Sequence, residues 1–219
     1  MPKGPPPSEQ RIILEKVSWQ KYEALLTEMQ AERTSRFTYD RGRLEMMNPL
    51  DEHERCHKLI ESLILVLADE LGFPVEAYKS PTLKRPDLQL GTEPDTAYYV
   101  QHQPEVEGKP SPDLMVDPPP DLILEVALNK SNLDKMPIYA ALGIPEVWRY
   151  VSKVGDDFFK GDLRVYCWTG DRYVNSSHSL AFPFLPTARV LQFIEQSDSL
   201  GLMTGLRTLR EWIQKTHPS

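Results

Sequence analysis

Apolar positions recur along the chain with two periods, and each period predicts its own kind of element. Trp19, Tyr22, Leu25, Leu26 and Met29 fall at helical spacing behind Ser18, a residue type that caps helix N-termini. Phe37 to Met47 reads as a hairpin turning at Asp40-Arg41-Gly42, with Leu44 to Met47 as its second strand. Leu59, Ile60, Leu63, Ile64, Leu67 and Leu71 form one stripe on a helix that Asp51 can cap and Gly72 can end. Strand-like runs follow at Val75–Tyr78, Ala97–Val100 and Leu122–Val126. A helix is predicted from about Asn132 to Leu142, stopped by Gly143, with Pro137 distorting its first turns. Val147–Val151 and Leu163–Trp168 read as strands, and Gly170-Asp171 turns into a further strand at Arg172–Val174. Helical spacing returns over Val190–Gln196 and Leu202–Lys215. The order of helix, hairpin, helix, strands, helix, strands and helices predicts an α/β or α+β sandwich around a central sheet. Residues 1–8 read as a Pro-rich tail, and 9–219 as one domain.

Composition narrows the class. Hydrophobic residues make up 40%, enough for an ordinary core, yet no apolar run approaches the length of a membrane span. The N-terminus lacks the apolar stretch of a secretory signal, and Cys56 and Cys167 stand in no paired motif, so a reducing cytoplasm is the expected setting. The net charge of −7, from 25 Lys+Arg against 32 Asp+Glu, counts against a general nucleic-acid binder. It leaves room for a local basic groove on an acidic remainder.

Two patterns carry chemistry. His53-Glu54-Arg55-Cys56-His57 matches the zinc-peptidase helix letter by letter, since histidines four apart share a helix face. Its surroundings argue otherwise. Arg55 sits inside the motif, Glu52 and Lys58 flank it, and no third ligand follows at a familiar distance. The second pattern is a pair of acids opening apolar runs: Asp95 before Thr96–Val100, and Glu125 inside Leu122–Val126. Alternation places Ile123, Glu125 and Ala127 on one strand face and Leu122, Leu124 and Val126 on the other. A glutamate among aliphatic neighbours is costly to bury unless it is paired or metal-bound. If the two strands are adjacent, the carboxylates converge as Mg²⁺ requires; the other reading is a carboxylate satisfied by an Arg, a Tyr or a backbone N–H.

Four segments resemble one family in order and spacing: Gly42 to Glu54, Arg85 to Val100, Pro119 to Val126, and Ser131 to Tyr150. The chain resembles the Uma-type restriction endonucleases of the PD-(D/E)xK superfamily from about residue 35 to about residue 215. The resemblance implies a restriction-endonuclease-like core, with a central mixed sheet flanked by helices. It implies a Mg²⁺- (or Mn²⁺-) dependent DNA endonuclease, with a homodimer as the expected assembly. Asp95 and Glu125 map onto the metal-binding acids, and Lys135 onto a lysine of the following helix. Glu45 and His53 match accessory polar positions at the front of the site. Lys79, Lys84, Arg85, Lys130 and Lys135 are the basic residues expected near it. One departure stands out. The position two after Glu125 carries Ala127, where the resemblance calls for Lys or an acid. That points to a slow enzyme, or to a catalytically silent member that binds or regulates.

Overall fold

The computed structural model describes residues 9–29, 35–49, 51–127, 133–152 and 161–217, so the expected tail at 1–8 and Lys130 lie outside it. The chain opens with strand β1 (Gln10–Leu14) and helix α1 (Trp19–Met29), where the Ser18 hydroxyl accepts the Lys21 N–H at 3.3 Å as the expected cap. The hairpin is β2 (Arg36–Asp40) and β3 (Arg43–Asn48). Its turn holds Arg41 and Gly42 at φ 43° and 102°, a left-handed pair that explains the glycine. Helix α2 (Asp51–Leu71) follows, then β4 (Glu76–Lys79), β5 (Leu83–Arg85), β6 (Leu90–Thr92), β7 (Thr96–Tyr99) and the one-turn α3 (Gln103–Val106). After β8 (Leu122–Ala127) come α4 (Met136–Ala141), β9 (Glu146–Ser152), β10 (Gly161–Trp168) and β11 (Tyr173–Ser176). Helices α5 (Thr187–Leu200) and α6 (Leu202–Thr216) close the chain.

The strands form two sheets rather than one. The larger has the order β11-β10-β9-β8-β7-β4 and is mixed, because β8 and β9 run parallel among antiparallel neighbours. The smaller, β1-β3-β2-β6-β5, is antiparallel throughout. One face of the large sheet presents Leu122, Leu124, Val126, Trp148, Tyr150, Leu163 and Val165 to the stripe of α2 and to α5 and α6. Ile60, Leu63, Ile64 and Leu67 of α2 are fully buried there. Each such side chain stabilises the layer by about 1.5–3 kcal/mol. The opposite face buries Ala97, Ile123 and Val147 under α4 and the β5–β6 edge. Helix α1 covers the small sheet through Trp19 and Tyr22, with Tyr22 stacked on Tyr39 at 4.8 Å.

Helix α4 is shorter than the sequence suggests, starting at Met136. Pro137 explains the boundary. Its ring is tolerated only where no backbone N–H is needed, so the helix begins around it. Gly143 at φ 79° lets the chain leave the helix toward β9. Among the described residues, no helix is long and apolar enough to cross a membrane.

Candidate active site

Strand register assembles the site before any side-chain contact is considered. Glu125 of β8 pairs with Arg149 of β9, and Arg149 pairs with Arg164 of β10. On the other side, the β7–β8 ladder ends at Thr96 opposite Leu124, so Asp95 stands one residue further, level with Glu125. A single row therefore crosses the sheet: Arg164, Arg149, Glu125, Asp95. Of the four, Glu125 and Arg149 line the cleft.

Glu125 opens onto a cleft of about 320 Å³ between the two sheets and the start of α4. Arg11 and Met47 line it from the small sheet, and Ala127 and Arg149 from the large one. Lys135 and Tyr139 reach in from the α4 side. The Lys135 ammonium donates to both Glu125 oxygens, at 2.8 and 3.1 Å, and the Tyr139 hydroxyl donates to Oε1. The Lys135 and Glu125 side chains are only 13% and 14% exposed, so this pair is largely shielded from water. Burial opposes ionisation of Glu125. The Lys135 charge and hydrogen bond, the Tyr139 hydrogen bond and the more distant Arg36 outweigh it, leaving the carboxyl below its ordinary range. Burial, reinforced by the Glu125 charge, drives the Tyr139 phenol well above its usual value, so it stays a proton donor.

Asp95 is held differently. It is 1% exposed and does not line the cleft. Its Oδ2 accepts the Val126 N–H, tying it to β8, and its Oδ1 is in contact with the Arg36 guanidinium. Arg36, 7% exposed, also meets Glu54 at 3.2 Å. Burial lowers its pKa, opposed by Glu125, Glu54 and further glutamates. Asp95 thus stands immediately before β7, the strand that pairs with the Glu125 strand, so the two acids come from neighbouring segments of the sheet. Each also has a cationic partner, as the alternative of satisfied carboxylates requires.

The other expected residues separate into three groups. Glu45 is buried, does not line the cleft, and accepts from the cleft residue Arg11 at 2.8 Å. Lys79 pairs with Glu54 at 3.0 Å, while Lys84 and Arg85 pair with Glu23 and Asp87, away from the cleft lining. The side chain of His53 lies outside the described residues. His57 is fully buried, with its Nε2 2.6 Å from the Thr96 hydroxyl. Among the described residues, no cluster of three or more His, Cys, Asp or Glu side chains is gathered as a ligand set. Ala127 does line the cleft beside Glu125, as strand alternation requires.

Sequence reasoning missed Arg11, Arg36, Tyr139 and Arg149. Two of them left signals. Tyr139 lies four residues after Lys135, a spacing that sets both on one helical side. Arg149 is a lone charge within Val147-Trp148-Arg149-Tyr150-Val151, the same anomaly that singled out Glu125.

This architecture is a restriction-endonuclease-like fold. A solved structure described as a putative nuclease belonging to DUF820, from Anabaena variabilis ATCC 29413, superposes with a TM-score of 0.50 at 14% identity. The match covers 87% of this chain and 99% of that one. The sequence itself matches the family Uma2, described as "Putative restriction endonuclease", over residues 19–191, and the chain belongs to that family. No curated protein matches the sequence.

Proposed function

We propose that the chain is a divalent-metal-dependent DNA endonuclease acting through Asp95, Glu125 and Lys135. The observation that carries this reading is the shielded Lys135–Glu125 pair in a cleft, level with Asp95 on the adjacent strand. Carboxylate oxygens suit a hard cation: Glu125 opens on the cleft, and Asp95 would join it in holding the ion by giving up its Arg36 contact. When bound, such an ion polarises the phosphodiester and acidifies an attacking water. The chain's own residues do the rest. Tyr139 fixes the Glu125 carboxylate, Lys135 holds positive charge where the phosphate gains negative charge, and Arg149 offers a second cation beside it. Cutting both strands of a duplex from one site per chain calls for two copies, so a homodimer belongs to this reading.

Plasmid DNA incubated with Mg²⁺ or Mn²⁺ tests it. The wild type should nick or linearise the plasmid, chelation should stop the reaction, and Glu125→Gln or Lys135→Met should lower the rate by about 100-fold or more. Cleavage that survives both substitutions would sink the proposal. A second reading, a silent member that binds DNA without cutting it, is favoured by the Arg36 contact on Asp95 and by Ala127. DNA binding without cleavage under either metal would establish it.

A further inference from the structure

Beside the cleft lies a second, more open groove of about 830 Å³, and the two share Asp134, Met136 and Arg149. One wall is the apolar surface of α4 at Pro137, Ala140 and Ala141. The other is aromatic, built from Tyr166, Trp168 and Tyr173. Trp168 and Tyr173 meet edge to face at 5.1 Å. Their placement follows from the sheet: Trp168 pairs with Tyr173 across β10–β11, two residues along from Tyr166 on the same face.

Two features separate this wall from an ordinary core edge. Tyr166 and Tyr173 pack against the apolar cluster under α4, and the Tyr173 hydroxyl is tied to the Ile144 carbonyl at 2.6 Å. Trp168, by contrast, belongs to none of the buried clusters and remains partly exposed. Its backbone N–H is pinned to the Pro145 carbonyl at 2.8 Å, so a partly exposed indole lines the groove from a fixed strand. At the junction with the cleft, the Arg149 side chain makes no hydrogen bond or ion pair among the described residues.

We infer that this groove binds an unpaired stretch of a DNA strand, stacking a base on Trp168 and Tyr173 while Arg149 holds the phosphate leading to Glu125. A slot with one apolar wall, one aromatic wall and a cation at its inner end suits a nucleotide, whose flat base and charged phosphate lie on opposite sides of the sugar. Duplex DNA suits it poorly. A duplex carries about one negative charge per 1.7 Å, and the groove also contains Asp134 and Asp171. Those acids are turned to local work: Asp134 accepts the Met136 N–H at 3.1 Å, and Asp171 the Thr169 hydroxyl at 2.6 Å. A single strand placed with its bases inward avoids crowding phosphates against them.

This inference rests on the nuclease reading only for what lies at the end of the groove, so it is tested without cleavage. Fluorescence anisotropy in EDTA would follow a labelled oligothymidylate of about 12 nucleotides and an abasic strand of equal length on the full chain. The wild type should bind the thymidylate about tenfold more tightly than the abasic strand. Trp168→Ala should erase that difference, and Trp168→Phe should keep most of it. Equal binding of the two strands by the wild type overturns the inference, and that comparison stands even if the alanine variant does not fold. Tighter binding of the matching oligouridylate overturns the assignment to DNA. A wild-type dimer that Trp168→Ala dissociates, with no strand bound, would show the groove to be a contact between two copies. Metal-dependent plasmid cleavage alongside any of these failures would leave the nuclease reading intact. A base-dependent affinity without cleavage would do the reverse.

Discussion

At the scale of single residues, the chemistry turns on how Glu125 is charged. Its carboxyl is held below the ordinary value although burial works the other way, because Lys135 and Tyr139 both donate to it. A group with a depressed folded pKa contributes stability above its unfolded value, about 4.3 for Glu, and loses it as pH falls through the folded value. Thermal melts from pH 6 downward should therefore show wild-type stability falling below about pH 4.3, more steeply than in Glu125→Gln. Parallel curves would mean that the pair contributes nothing. Tyr139→Phe removes one donor while keeping the ring, so the folded value should rise toward the unfolded one: the acid loss should be smaller and complete at a higher pH, at a cost of about 1–2 kcal/mol above it. An acid loss of unchanged size would place the hydroxyl outside the Glu125 network. Ala127 bears on the proposed metal. Residues 125 and 127 share a strand face about 6.8 Å apart, and both line the cleft, so a carboxylate at 127 could reach an ion held by Glu125. Calorimetric titration should show Mn²⁺ binding more tightly to Ala127→Asp than to wild type. Equal affinities in a folded variant would place the metal elsewhere.

At the scale of elements, what was legible is what repeats. The α2 stripe, the β2–β3 hairpin, and the alternation that sends Leu122, Leu124 and Val126 to one face and Glu125 to the other could all be read along the chain. Strands β5 and β6 could not, since three residues such as Leu83-Lys84-Arg85 or Leu90-Gly91-Thr92 hold too few alternations to register. Strand β1 was missed because Arg11 and Ile12 obscure its alternation, leaving Ile12 57% exposed. Arg36 was invisible for another reason: a lone arginine before an aromatic strand looks solvated until the fold closes Asp95 and Glu54 around it. The short β6 nonetheless determines how α1 docks. A Cβ at Gly91 would stand 2.3 Å from the Tyr22 hydroxyl oxygen and 2.9 Å from Cζ, and that ring is stacked on Tyr39 with little room to move. Gly91→Ala should destabilise the protein by about 1–3 kcal/mol in urea unfolding. Tyr22→Phe should recover part of that loss by removing the clashing oxygen. A variant as stable as wild type would mean that α1 shifts freely on the small sheet.

At the scale of the molecule, a net charge of −7 has to be reconciled with the polyanionic substrate proposed. The reconciliation proposed is local. Lys84 and Arg85 are neutralised by Glu23 and Asp87, and Lys79 by Glu54. The cations near the cleft and groove are Lys135, Arg149 and, further along the same row, Arg164. Arg164 is exposed and leans on Asp162 at 2.9 Å, an arrangement a phosphate can displace. A strand crossing this row meets about three cations. For single strands the slope of log affinity against log salt is about −0.7 per phosphate neutralised, which gives about −2 here. Arg149→Gln should make the slope shallower by about 0.7 and weaken thymidylate binding at every salt concentration. Trp168→Ala should weaken binding while leaving the slope unchanged, because a stacked base releases no counterion. A wild-type slope near −6 would require a basic surface beyond this row, and a slope near zero would mean that no phosphate is engaged. Either result would move the nucleic-acid contact away from the β9–β11 groove.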